Sequence, residues 1–393
     1  MAQFIKRQVV EERWKKIQSW LKTHNYNALV VLETNNTCYV SGWYLDVEPW
    51  ERPVATVIPA SGEPFMILHE LSTHHVKMAQ ERGTIYIDDI TFYFERPSTT
   101  RRTWTTPQWP QLVASKLKEH GLDKGDIASD LPAGALAGAS PSLTWHTTEI
   151  LHELRAVKHP DELELMRQAC SLANYGQEVF RDLVKPGKFM AEVDAQTVLE
   201  MTREGAKRFP GCDLHVRCFS LTGPDSASPH GTGAGSSAVI EAGHGIVNII
   251  LGRLNHYNIE NERTYFVGHC SETQKRAFEC VQAAQAAAVA ACVPGNPLSA
   301  VDAAAQTVIE AGGFADNLRH RTGHGIGLRG HDRPADIAFN HRPLHKNEVY
   351  TIEPGIYIYG VGGFRHDDTV IVSDPPEVLT TTPKDIESMT LTV

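Results

Sequence analysis

The stretch Arg321-Thr-Gly-His-Gly-Ile-Gly-Leu-Arg-Gly-His331 places two imidazoles, His324 and His331, seven residues apart among four glycines. Glycine accepts positive φ and lets a backbone run close to other groups, so the run predicts a strand edge or turn passing a ligand. Acids follow it in Glu353-Pro-Gly355 and Arg365-His-Asp-Asp-Thr369. Before it come His230 and the segment Tyr257-Asn-Ile-Glu-Asn-Glu-Arg-Thr264, which carries Glu260 and Glu262.

These residue types suit hydrolysis of a C–N bond. Such a reaction needs a base to activate water and an acid to protonate the departing nitrogen, and histidine, titrating near ~6.5, serves both ends. Glu260, Glu262, Glu353, Asp367 and Asp368 form an acidic group that calls for a positive partner, either a metal ion or a substrate cation. Blander readings stand beside these: His230 as a loop histidine, and Glu260 and Glu262 as a salt-bridged strand face with Arg263.

A chain of 393 residues exceeds what one core supports, so two domains are expected, 1–155 and 156–393. Its 41% hydrophobic and 21% charged residues are those of a soluble enzyme. A net charge of −10 argues against a nucleic-acid partner. The N-terminus lacks a secretion signal's apolar core and no run reaches the ~20 apolar residues of a membrane span. Cys38, Cys170, Cys212, Cys218, Cys270, Cys280 and Cys292 are scattered with no Cys-x-x-Cys pair, which predicts reduced thiols and a cytoplasmic location.

Helical spacing of Val10, Trp14, Ile17 and Leu21 predicts a helix over 7–23, followed by a buried strand at 28–32. Residues 35–42 have the composition of a strand-edge turn. Strands are expected at 54–58, 65–68 and 84–87, and a long loop from Tyr93 to Pro110. Residues 131–141 read as a linker or loop. Pro160 and the acids after it open a long helix whose face carries Leu165, Ala169, Leu172, Val179 and Leu183. Helices follow at 272–292 and 299–311, with strands and tight turns at 245–268 and 346–373.

Lys158-His-Pro-Asp-Glu-Leu-Glu-Leu-Met166, Thr322-Gly-His-Gly-Ile-Gly327, Ile352-Glu-Pro-Gly355 and Arg365-His-Asp-Asp-Thr-Val-Ile-Val372 resemble the pita-bread superfamily of methionine and Xaa-Pro aminopeptidases, prolidase and creatinase. The resemblance implies an α/β N-terminal domain plus an α+β pita-bread C-terminal catalytic domain. Its peptidases hold two metals with two Asp, one His and two Glu. Here the first Asp falls in Val247-Asn-Ile-Ile-Leu-Gly252, where neither Ile249 nor Ile250 can bind a cation. The remaining places fall on Glu260, His324, Glu353 and Asp367, which implies at most one ion of Mn, Fe, Co or Zn.

Creatinase works without metal, and Glu262 before Arg263-Thr264, His230, and Arg52-Pro53 resemble its substrate-binding Glu, its base and its carboxylate-binding Arg. Asp367 and His366 depart from its pattern. The expectation is therefore a homodimeric creatinase-type C–N hydrolase acting on a small zwitterion, an amidine, cyclic amidine of ectoine type, or amide, with no cofactor required. In it His230 activates water and then protonates the nitrogen, Glu262 and Glu353 bind the cationic end, and His324 with His331 polarises the reacting group. Arg52, reaching a neighbouring copy, or Arg333 holds the carboxylate, with His366 and Asp367 as further substrate contacts. Trp43, Tyr44 and Trp50 flank Arg52 and are expected to line the pocket. The alternatives are a single-metal Xaa-Pro dipeptidase or aminopeptidase, and an inactive relative that binds a partner protein.

Overall fold

The computed structural model describes residues 4–45, 47–95, 104–231, 237–334 and 337–392. Its contacts divide into two compact units, Phe4–Arg155 and the residues from Ala156 on.

In the first unit, α1 (Arg7–Thr23) buries Val10, Trp14, Ile17 and Leu21 along one face. β1 (Ala28–Val31) follows, and then α2 (Thr34–Ser41) where a strand-edge turn was expected. Its Asn and Thr residues are poor helix formers, but the Glu33 side chain caps the N-terminus by accepting from Asn36 N, and Gly42 closes it at φ 75°. The unit continues with β2 (Ala55–Pro59), β3 (Phe65–His69), α3 (Thr73–Arg82), β4 (Asp89–Tyr93), α4 (Trp109–Glu119), β5 (Gly125–Ser129), α5 (Ala135–Ala139), β6 (Leu143–Thr147) and α6 (Ile150–Ala156). Residues 84–87 are coil, with Ile85, Tyr86 and Ile87 buried. The strand parallel to β3 starts at Asp89, and residues 96–103 of the expected loop lie outside the described residues. The strands form one sheet in the order β4-β3-β2-β1-β5-β6, with Val30, Val57, Phe65 and Ile127 in its core.

The second unit opens with α7 (Pro160–Leu183), whose His159 and Glu162 form a reciprocal cap, and α8 (Met190–Arg208). Leu165, Ala169 and Leu172 are buried on α7 as expected, while Phe180 is buried in place of Val179 and Leu183. Next come β7 (Leu214–Thr222), β8 (Gly245–Leu254), β9 (Tyr257–Val267), α9 (Glu272–Ala291) and α10 (Ser299–Ala311). The chain ends with β10 (Val349–Ile352), β11 (Gly355–Ile358), β12 (Gly362–Arg365), β13 (Asp367–Ile371), β14 (Glu377–Val378), α11 (Ile386–Met389) and β15 (Thr390–Leu391). The sheet runs β10-β13-β9-β8-β7, with β14 on β13 and β15 parallel to β9.

Strand periodicity then sorts the acids. Successive side chains of a strand point to opposite faces. Glu260 and Glu262 therefore share one face of β9, and Asn261 and Arg263 take the other. Register pairs Asp367 with Glu262 and Ile249 with Glu262, so Ile249 and Asp367 join that first face. Ile250 points to the helix layer, next to Gly176 of α7.

Candidate active site

His324 enters the site on an extended segment laid against β10. Thr351 N donates to His324 O at 2.9 Å, and His324 N donates to the Thr351 hydroxyl at 3.0 Å. The glycine before it explains the spacing: a Cβ on Gly323 would stand 1.9 Å from Thr351 O. None of the four glycines of the run has positive φ. The run is glycine because backbone passes backbone there, and Gly325 meets the Asp332 and Arg333 carbonyls in the same way.

Burial lowers the His324 pKa to about 4, so its ring is neutral at neutral pH. Its Nδ1 lies 3.0 Å from Gly325 O. A carbonyl can only accept, so Nδ1 carries the proton and Nε2 presents a lone pair. That lone pair faces Glu353 Oε1 at 3.4 Å and Glu260 Oε2 at 3.7 Å, and Nε2 has no hydrogen-bond partner. Lone pairs converging like this need a proton or a cation between them. Asp367, fully buried, adds a third acid. Its Oδ1 accepts from Ile352 N at 3.0 Å, and its Oδ2 has no partner. Burial and the neighbouring carboxylates push the pKa values of Glu260 and Asp367 well up.

By donor chemistry Glu260, His324, Glu353 and Asp367 suit one divalent cation: three hard-oxygen ligands, one imidazole, and two orphaned buried atoms, His324 Nε2 and Asp367 Oδ2. They do not suit two. On the same face Ile249 packs with Leu221 and Val247 in an apolar cluster where a further acid would have to stand. Among the described residues, the group whose ligand atoms all lie within 4.8 Å of one another is Glu260, His324 and His331, the two imidazoles being stacked with centroids 3.7 Å apart. His331 is exposed, whereas Glu260, His324 and Asp367 are buried and Glu353 is half-buried.

The other two acids already have cations. Arg365, at the end of β12, forks onto Glu262 through Nε and NH2, and its NH1 donates to Tyr357 Oη at 3.0 Å and to Pro229 O at 3.1 Å. Sequence reasoning set Glu262 aside for a substrate cation. The structure gives it a resident guanidinium instead. Asp368 faces the opposite side, where Arg263 NH2 donates to it at 2.7 Å and Lys384 also binds it. Burial alone would raise the Asp368 pKa, but these two cations hold its carboxyl well below the usual range. Arg263 is fully buried and further donates to the carbonyls of Glu262, Asp367, Thr380 and Thr382.

A cavity of about 300 Å³ opens over this centre, and His230, His324, His331 and Glu353 all line it. His230 sits in a turn closed by Ser228 and Gly231, whose Pro229 carbonyl is the one held by Arg365. Its ring is exposed and makes no hydrogen bond among the described residues. Arg319, His320, Arg321 and Arg365 line the cavity too. None of these four was singled out for a role from the sequence. Arg321 and Arg365 stood inside quoted motifs, yet only the fold shows that they face inward.

Two expected substrate contacts fall elsewhere in the second unit. Strand alternation turns His366 away with Asp368, and its buried ring meets Phe278 of α9 edge-on. Arg333 is exposed and outside the cavity lining among the described residues. Arg52, in the first unit, donates to Glu51 and Glu95. Near it Trp43 is a core residue packed on His75, while Trp50 is 83% exposed.

Comparison with known proteins matches residues 164–374 to the model of metallopeptidase family M24, and residues 13–141 to the creatinase/prolidase N-terminal domain. An Xaa-Pro dipeptidase of Pyrococcus horikoshii is 27% identical over 93% of this chain and 95% of its own length. An Xaa-Pro dipeptidase of Pyrococcus furiosus is 36% identical over 58% of this chain and 63% of its own. The crystal structure of dipeptidase PepE from Mycobacterium ulcerans superposes over 100% of both chains with a TM-score of 0.82 at 28% identity.

Proposed function

Because the chain belongs to metallopeptidase family M24, we propose that this C–N hydrolase cleaves the amide bond of a dipeptide-sized zwitterion at a centre that holds one divalent cation. The relatives are dipeptidases, which favours the Xaa-Pro dipeptidase alternative over the creatinase-type amidine hydrolase first expected. The observation that carries the reading is the His324 Nε2 lone pair facing Glu260 and Glu353.

A divalent ion held by Glu260, His324, Glu353 and Asp367 supplies Lewis-acid polarisation and acidifies water. The chain's own groups do the rest. Glu353, half-buried at the cavity wall, accepts the proton of the attacking water as the water oxygen bonds to the carbonyl carbon. Of His331 and His230, which both face the cavity, one hydrogen-bonds the developing oxyanion, and the other gives its proton to the nitrogen as the C–N bond breaks and takes back the proton that Glu353 received from water. The Glu262–Arg365 pair fixes the turn that carries His230.

Seven free thiols support a reducing compartment such as the cytoplasm. No helix among the described residues is long and apolar enough to cross a membrane. A homodimer is part of the same proposal.

The test is metal analysis of the purified protein together with turnover of a panel of Xaa-Pro dipeptides. Loading with Mn(II) should give one ion per chain and activity that a chelator removes. A metal-free amidine hydrolase is the second reading, favoured by Ile249 in the ligand face and by His230 in the cavity. Chelator-resistant hydrolysis of creatine or ectoine, with no dipeptide turnover, would replace the first reading with the second.

A further inference from the structure

Three guanidiniums line the cavity beside its histidines and Glu353; Arg365 is taken up by Glu262, and the other two are engaged differently. Arg319 is exposed, and its NH1 donates to Asp316 O and Leu318 O. Arg321 is half-buried. Its Nε donates to Gly323 O at 3.1 Å, and its two terminal nitrogens have no hydrogen-bond partner among the described residues.

The neck of Arg321 is held firmly. His320 Nδ1 donates to Arg321 O at 2.7 Å. That leaves His320 Nε2 to accept from Tyr357 Oη at 2.7 Å, and Tyr357 Oη in turn accepts from Arg365 NH1. Thr322 N, one residue on, donates to Asp302 Oδ1 at 2.7 Å. A guanidinium fixed at Nε and open at its fork is a preorganised receptor for a planar carboxylate. Glu353 shares the cavity but makes no hydrogen bond to it.

We propose that Arg321 binds the free α-carboxylate of the substrate's second residue and so restricts this enzyme to dipeptides, against amides and longer peptides. The proposal rests on the amide-hydrolase reading above. It assigns the carboxylate role to a residue other than Arg52 or Arg333.

The experiment compares alanylproline with alanylprolinamide in the Mn(II)-loaded enzyme. Substitution Arg321→Met should lower kcat/KM for the acid about 10- to 100-fold, the range of a lost charge-assisted hydrogen bond, chiefly through KM. The amide should be hydrolysed nearly as before. Arg321→Lys, which keeps the charge and loses the fork, should fall between, and melting curves of both variants report folding. Equal losses on acid and amide, or an unchanged acid-to-amide ratio, overturn the proposal. If the wild type hydrolyses neither compound, the amide-hydrolase reading fails, and Arg321 is then judged by binding. Proline should raise the melting temperature more than prolinamide in the wild type and not in Arg321→Met, and equal shifts reject the assignment.

Discussion

Glu262 meets Arg365 fork to fork inside the second unit, with both side chains no more than 4% exposed. A buried pair of this kind is a poor source of net stability, yet breaking it on one side leaves a charge with no water and no partner. Glu262→Ala should therefore cost about 3–5 kcal/mol in denaturant unfolding. The double variant Glu262→Leu, Arg365→Met should lose clearly less than the two single losses combined. Additive losses would show that the residues do not act as a pair.

Gly323 tests the glycine run. Its Cβ position lies 1.9 Å from Thr351 O, a backbone atom that cannot swing aside. Gly323→Ala should destabilise by more than about 3 kcal/mol, in the class of severe overpacking. Gly330, where a Cβ meets only the end of the Glu260 side chain at 3.9 Å, should tolerate Ala with little change in melting temperature.

Ion binding should depend on Glu260, His324, Glu353 and Asp367 and not on His331. Calorimetric titration with Mn(II) should weaken by at least about 10- to 100-fold in His324→Gln or Glu353→Gln, since losing an outer partner alone costs that much. His331→Gln should bind Mn(II) much as the wild type does. The reverse ranking would hand the site to the stacked histidine pair.

Asp130 gives the first unit a pH signature. Burial raises its pKa to about 6, against hydrogen bonds from Asn36, Leu32 and Glu33 that pull it down. The folded state thus holds this proton more tightly than the unfolded chain, where the ordinary value is near 4. The penalty for ionising it is absent below pH ~4, grows as pH rises, and is complete above pH ~6, at about 3 kcal/mol. Unfolding free energy of wild type relative to Asp130→Asn should fall across that window as pH rises. A flat difference would refute the shift.

Much of this was legible in the sequence, and the misses have physical causes. Helical and alternating periods located α1, α7, α9 and the β8–β9 hairpin, because burial writes itself into spacing. Residues 35–42 misled because capping by Glu33 and Gly42 outweighs poor propensity. The acids of the site were all named, along with the missing carboxylate at Ile249 or Ile250. What spacing along one chain does not show is which neighbour each acid meets across strands. Arg365 is 103 positions from Glu262, and only the sheet register brings them together. His366 was misjudged by one step of a period of two.

Arg263 gives the end of the chain a task at its centre. The guanidinium that binds the carbonyls of Glu262 and Asp367 also grips those of Thr380 and Thr382, and β15 closes over β9 beyond them. The tail therefore works as a keystone, wedged behind the two strands whose opposite faces carry the acids. Cutting the chain before Thr380 should release those strands and abolish activity even though every residue lining the cavity is still present. Adding the missing piece back as a separate peptide should restore part of it.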